Sequence, residues 1–169
     1  ANSLRLIKAF SEDEYEIGIS DLAKRLGLAK STVHRLASTL LEEGMLEQNP
    51  GDGKYHLGLA LFELGTMVRR KMDFTVEARP FLRTLMERTG ETVHLAILDH
   101  DSILYIITHE SKQALRMGSK VGTRAPVHST AVGKVLLASR PVDEIERIVA
   151  GGLPQSTPNT IAEAKALRR

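Results

Sequence analysis

The chain has 169 residues, 42% of them hydrophobic and 26% charged, with a formal net charge of +2 and no cysteine. Such a composition suits a globular protein with one good core or two small ones. It excludes a disulfide scaffold and thiolate metal sites, and no apolar run approaches the ~20 residues that a membrane-spanning helix needs.

No signal-peptide pattern is present, which makes the cytoplasm the expected location. Leu4, Leu6, Ile7 and Phe10 predict a short first helix, ending in the acidic, turn-prone stretch Ser11 to Glu16. Ser20 stands where an N-cap belongs, with Leu22, Ala23 and Leu26 as the apolar side of a second helix that Gly27 stops. A third helix is expected from about Lys30 to Glu43, closing at Gly44. Winding it at about 100° per residue puts Val33, Leu36, Ala37, Leu40 and Leu41 on one side. Ser31, Arg35, Ser38 and Glu42 lie opposite. Met45 to Gln48 and Lys54 to Leu57 read as two short strands around the turn-rich Asn49-Pro50-Gly51-Asp52-Gly53. Helix, helix-turn-helix, hairpin is the order of a winged helix-turn-helix.

Charge is segregated within this first segment. Residues 1–58 hold seven Lys and Arg against nine Asp and Glu, a sum that by itself argues against nucleic acid. Yet Leu22 to Leu41 carries Lys24, Arg25, Lys30 and Arg35 with no acid, and the acids fall on either side of it. Phosphates meet a local face and not a domain total. A cationic two-helix unit of this size therefore predicts a reader of duplex DNA.

From Leu57 to about Met72 a further helix is expected, with Leu57, Leu61, Leu64, Val68 and Met72 along one stripe and Leu59 and Phe62 on the far side. Two apolar sides need two covers, one within the chain and one in a second subunit, unless the helix is buried wholly within one chain. Arg69-Arg70-Lys71 reads as its solvated end. Thr75 to Thr89 is predicted helical with Pro80 near its start. Thr92 to Leu98 and Ile103 to Thr108 look like strands paired across Asp99-His100-Asp101-Ser102. Leu115 to Met117 can begin another strand, a loop follows from Gly118 to His128, and helices are expected at Ser129 to Ala138 and Val142 to Val149. Thr160 and Glu163 have capping-box spacing. With a helix opening there and the sequence stopping at Arg169, the second domain is expected to be incomplete in this sequence. The reading is thus α+β, with a winged helix-turn-helix over 1–58, a linker and dimerisation helix over 59–74, and a second domain over 75–169.

Two motifs converge on one family. Ile19-Ser20-Asp21-Leu22-Ala23, Gly27-Leu28, Lys30-Ser31-Thr32-Val33-His34-Arg35-Leu36 and Leu41 to Gly44 strongly resemble the winged helix-turn-helix of the isocitrate lyase regulator (IclR) family. Gly122-Thr123-Arg124-Ala125-Pro126-Val127-His128-Ser129-Thr130-Ala131-Val132-Gly133-Lys134, continued by Leu136-Leu137-Ala138, resembles that family's effector-domain signature. The resemblance covers nearly the whole chain. It departs at the C-terminus, where family members continue with further strands and pocket residues.

In a helix-turn-helix the reading helix enters the major groove with its N-terminal residues toward base edges. Lys30, Ser31, Arg35 and Ser38 are the candidates. Arg35 is favoured for direct readout, because its fork can take two acceptors on guanine. Ser20, Ser31 and Thr32 would hold phosphates through hydroxyls and helix N–H groups. His34 stands at the edge of the polar face, and Lys54 on the hairpin can meet a neighbouring phosphate. A useful specificity ratio normally needs a dimer on a two-fold site, so the expected operator is an inverted repeat and the expected assembly a homodimer or tetramer.

The resemblance implies a GAF/PAS-like second domain, an antiparallel sheet flanked by helices around a small-molecule pocket, whose effector is a small organic or aromatic acid. By motif alignment Met117, Ala125, Ala131 and Val132 would line the pocket, with His128, Ser129 and Thr130 near its mouth. A helix beginning at Ser129 and Thr130 can hold a carboxylate on its N–H groups. Without the resemblance, Ala131, Val132 and Leu136 read as core, Met117 as a gap-filler and Ser129 as a cap.

The implied function is a transcriptional regulator, repressor or activator, with no cofactor. Six histidines show no paired ligand spacing, so no metal is expected. No Gly-x-Ser-x-Gly elbow surrounds His128-Ser129. Gly133-Lys134 lacks the earlier glycine and the following Ser or Thr of a phosphate loop. An enzyme is accordingly disfavoured. The other alternative is a winged helix that binds protein, which would lack the counterion-release salt dependence of DNA binding.

Overall fold

In the computed structural model, which describes residues 1–113 and 119–168, the chain divides into two units, Ala1–Met72 and Asp73–Arg169, each with its own core. In the first unit α1 (Asn2–Ile7), α2 (Ile19–Leu26) and α3 (Lys30–Glu42) precede a hairpin of β1 (Leu46–Gln48) and β2 (Tyr55–Leu57), and α4 (Leu59–Arg70) follows. Leu6, Leu22, Leu26, Val33, Ala37 and Leu40 bring the apolar stripes of the three helices together, and Ile17, Leu46 and Tyr55 close the core. Burying each of the Leu, Val and Ile side chains is worth about 1.5–3 kcal/mol. Gly27 caps α2 in the left-handed region at φ +66°, where a Cβ is disfavoured.

The hairpin pairs Leu46 with Leu57 and Gln48 with Tyr55. It also gains a partner that local patterning did not reveal. Ile17 and Tyr55 exchange backbone hydrogen bonds of 2.9 and 3.0 Å, tying the loop before α2 to β2. The helix starts differ from expectation as well. Gly18 and not Ser20 is the N-cap of α2, and Ala29 is that of α3; neither offers a capping side chain. Ser20 and Ser31 are second residues of their helices. Leu57 belongs to β2, so α4 begins two residues later than the stripe suggested.

No residue of α4 is buried, and Leu59, Phe62, Leu64, Met67 and Val68 are all exposed within this unit.

The second unit opens with α5 (Asp73–Thr89), in which Pro80 lies mid-helix and not near the start. β3 (Val93–Asp99), β4 (Ser102–His109) and β5 (Arg124–Pro126) form an antiparallel sheet in that order, with a register shift between Leu95 and Ala96. His100, at φ +61°, turns the two-residue β3–β4 connection. β5 lies inside the stretch expected to be loop. Its three residues pair with the start of β4, a contact that spacing along the chain does not encode. The expected strand at Leu115 to Met117 lies outside the described residues.

After β5 a 3-10 turn (Val127–Ser129) leads into α6 (Ala131–Ala138), α7 (Val142–Ala150) and the short α8 (Ala164–Leu167). Ala96, Ile103, Tyr105, Val127, Leu137 and Ile148 form the core between sheet and helices. Gly133 is there because nothing larger fits: a Cβ would lie 2.2 Å from the Val127 carbonyl oxygen and 2.5 Å from Thr130 Oγ1. The capping box at Thr160 and Glu163 does not form. Glu163 is itself the N-cap of α8, while Thr160 Oγ1 accepts from Thr157 N–H at 2.9 Å. No helix among the described residues is long and apolar enough to cross a membrane.

Candidate nucleic-acid interface and effector site

The two sides of α3 separate as its sequence predicts. Val33, Ala37 and Leu40 are buried, and Lys30, Ser31, His34 and Arg35 are exposed, with Thr32 and Ser38 half-buried at the margin. The Ser38 hydroxyl donates to the His34 carbonyl at 3.0 Å, which leaves its lone pairs as acceptors only. With Ala29 as N-cap, no side chain occupies the amide donors of the first turn of α3. Unfilled donors at a helix start are suited to an anion.

The cationic strip is less clean in space than in sequence. Arg25 donates to the Ala9 carbonyl and to the Glu14 carboxylate, and Lys24 Nζ lies 3.4 Å from Asp21 Oδ1. Folding therefore brings Glu14 back to α2 from the preceding loop, while Asp21 meets Lys24 within the helix itself. Lys30 and Arg35 make no side-chain hydrogen bond or ion pair among the described residues, so α3 carries the unneutralised positive charge of the strip.

Lys54 is also committed. Its ammonium lies 2.9 Å from Asp52 Oδ2, and this contact raises the Lys54 pKa and lowers that of Asp52. The hairpin thus presents a neutral pair where a lone cation was expected. Ser20 is exposed in the first turn of α2, whose N-cap Gly18 likewise offers no capping side chain.

The second-domain candidates separate into two groups. Ala125 and Val132 pack against the core, while Ala131 is exposed at the start of α6. Thr130 and not Ser129 caps α6, its Oγ1 accepting from Gly133 N–H at 3.0 Å, whereas the Ser129 hydroxyl donates to the Pro126 carbonyl at 3.1 Å. His128 is buried, with Nε2 3.0 Å from the Pro154 carbonyl, which requires the proton on that nitrogen. Met117 lies outside the described residues.

His128 borders a cavity of about 170 Å³ with Ser102, Arg147 and Pro154, a set that motif reading did not single out. A larger cavity of about 700 Å³ lies against Arg83, Met86, Glu87, His109 and Lys112. Pockets for small molecules typically span about 300–1,000 Å³; the larger one is in that range, as is another of about 390 Å³ beside Lys134, Leu137 and Ile145, and none of the described candidates lines either. Near the end of the sheet, the Arg124 guanidinium and then His100 hold the Asp99 carboxyl below its usual pKa. Burial lowers the pKa of His94, whose Nδ1 lies 3.1 Å from Thr108 Oγ1. No group of His, Asp and Glu with metal-binding geometry occurs among the described residues.

Two family models match the chain. The IclR helix-turn-helix domain covers residues 1–50, and the C-terminal domain of bacterial transcriptional regulator IclR covers residues 66–169. The regulator XynR of Escherichia coli is 41% identical over 166 residues, which is 98% of this chain and 66% of that protein. KdgR of the same organism is 43% identical over 163 residues, covering 96% of this chain and 62% of KdgR. These relatives are transcriptional regulators and not enzymes, and the chain spans about two thirds of their length or less. Among solved structures, an IclR homologue from Microbacterium hydrocarbonoxydans complexed with 4-hydroxybenzoate matches with a TM-score of 0.85 at 31% identity, over 99% of this chain and 70% of the other. The Thermotoga maritima IclR matches with a TM-score of 0.70 at 30% identity, over 99% of this chain and 68% of the other.

Proposed function

Because the chain belongs to the IclR family of bacterial transcriptional regulators, we propose that it binds duplex DNA through α3 and changes that grip when a small organic acid occupies its second unit. The observation that carries the first half is the pair Lys30 and Arg35. They are exposed on the polar side of α3 and have no neutralising partner among the described residues, while Arg25 and Lys24 are matched by acids. Arg35 reads a base edge, and Lys30, Ser31 and Thr32 hold phosphate at the start of α3. His34 and Ser38 flank them, and Ser20 adds a second phosphate contact from α2. Lys54 contributes little here, since Asp52 cancels it.

One reading helix covers few base pairs. The exposed apolar residues on both sides of α4 supply a means of pairing two copies, dimer or tetramer, on an inverted repeat. The acid reading of the effector draws on the relative solved with 4-hydroxybenzoate and on the small cavity that buried His128 and exposed Arg147 both border. Ligand control requires unequal affinity for two arrangements of the protein.

The test is selection of bound sites from random duplex DNA with purified protein, repeated across a panel of small carboxylic acids. An inverted repeat whose recovery one acid alters supports both halves. Recovery of asymmetric single half-sites overturns the dimer, and absence of any retarded DNA at low salt overturns the DNA reading.

A further inference from the structure

The reading helix and the linker helix meet end to start. After α3 the chain turns through Gly44 at φ +65°, runs out and back along the hairpin, and starts α4 at Leu59. Gly58, the N-cap of α4, is buried against Gly44. A Cβ at position 58 would stand 2.2 Å from the Gly44 carbonyl oxygen and 3.1 Å from the Leu46 carbonyl carbon, a backbone approach only glycine permits.

Hydrogen bonds cross the same contact. Gly58 N–H donates to the Met45 carbonyl at 2.9 Å, and Ala60 N–H to the Gly44 carbonyl at 3.2 Å. Leu59 N–H donates to Glu47 Oε1 on β1 at 3.1 Å. A helix start leaves its first amide donors unsatisfied. Gly58 has no side chain to cap them, and here the turn after α3 and the Glu47 carboxylate take their place.

We infer that this contact is a rigid joint, in which Gly58 and Glu47 are positioning residues that fix the angle between α3 and α4. The inference rests on the dimer reading above: if two α4 helices pair, this angle sets the separation of the two reading helices and hence the spacing of the half-sites. The leverage is large. α3 has 13 residues, or about 20 Å at 1.5 Å per residue. A tilt of about 10° at the joint therefore moves Lys30, at the far end, by about 3.4 Å, one base step along a strand. The base preference of Arg35 within a half-site does not depend on the joint.

The experiment uses the full chain and a library of inverted half-sites with varied spacers. The wild type selects a narrow set of spacers. Gly58→Ala shifts or broadens that set by about one base pair, with bases within each half-site unchanged. Glu47→Ala, at an exposed side chain that the core does not need, broadens it, and Glu47→Gln restores it because the amide oxygen still accepts from Leu59 N–H. A second measurement reads the joint without DNA. The chain has no cysteine, so Thr39→Cys and Glu63→Cys, both at exposed positions, give spin labels on α3 and α4, diluted with unlabelled protein. Pulsed dipolar spectroscopy gives one narrow distance in the otherwise wild-type chain and a broader one with Glu47→Ala. Wild-type spacer choice in both Gly58→Ala and Glu47→Ala overturns the inference, as does a broad label distance before any joint substitution. A narrow label distance with no spacer preference in the wild type keeps the joint and overturns the dimer reading instead.

Discussion

Arg35→Ala is the most informative single change at the proposed interface. Arg35 is exposed and its side chain has no hydrogen-bonded or ionic partner among the described residues, so truncating it should leave folding stability within about 0.5 kcal/mol of the wild type. A bidentate arginine–guanine contact supplies about 1–3 kcal/mol of discrimination. Two reading heads on a two-fold operator contribute twice, and near the middle of that range the loss is about 4 kcal/mol, on the order of 700-fold. Fluorescence anisotropy on the selected operator and on shuffled DNA, across a salt series, measures each part. Arg35→Ala should lose affinity on the operator far more than on shuffled DNA. Lys30→Ala should weaken both alike and lower the salt slope by about 0.9 for each phosphate contact removed. If Arg35→Ala weakened all DNA equally, Arg35 would be a phosphate contact and the assignment of base readout would be wrong.

Replacing Phe62, an exposed apolar residue of α4, with Asp should raise the concentration needed for dimerisation at least tenfold by sedimentation, since pairing would bury its charge; unchanged assembly would remove α4 from the interface. Gly133→Ala should cost about 3 kcal/mol or more in denaturant melts of the second unit's signal, because the new methyl meets backbone at 2.2 Å. Burial lowers the pKa of His94, so the unfolded chain binds the proton more readily. Stability from the neutral ring is complete above the unfolded value of about 6.5 and is lost as pH falls from there toward the folded value. His94→Gln should flatten the melting temperature between pH 7 and 5, and an unaltered slope would place that dependence on other groups.

The helices of the first unit were legible from the sequence because amphipathic period records burial directly. Val33, Ala37 and Leu40 alternate with Lys30, Ser31 and Arg35 at helical spacing, and the fold keeps that division. Gly27 and Gly44 marked the two helix ends for an equally local reason, the backbone region they occupy. The two strands of the hairpin and the β3–β4 pair were likewise visible from alternation and turn residues.

What the linear order could not supply was the identity of partners across space. Glu14 is eleven residues from Arg25 in sequence and bonded to it in the fold, so an acid-free stretch became a partly neutralised one. β5 was hidden because three residues carry no period, and only their pairing with β4 makes them a strand. Ser20 looked like a cap, yet helix starts are decided by where the backbone turns, at Gly18 and Ala29. Local chemistry therefore determined which segments are helical and which face is cationic. Tertiary structure decided which of those cations remain unpaired and how α4 is held against the end of α3, because both depend on distances that close only when the chain folds.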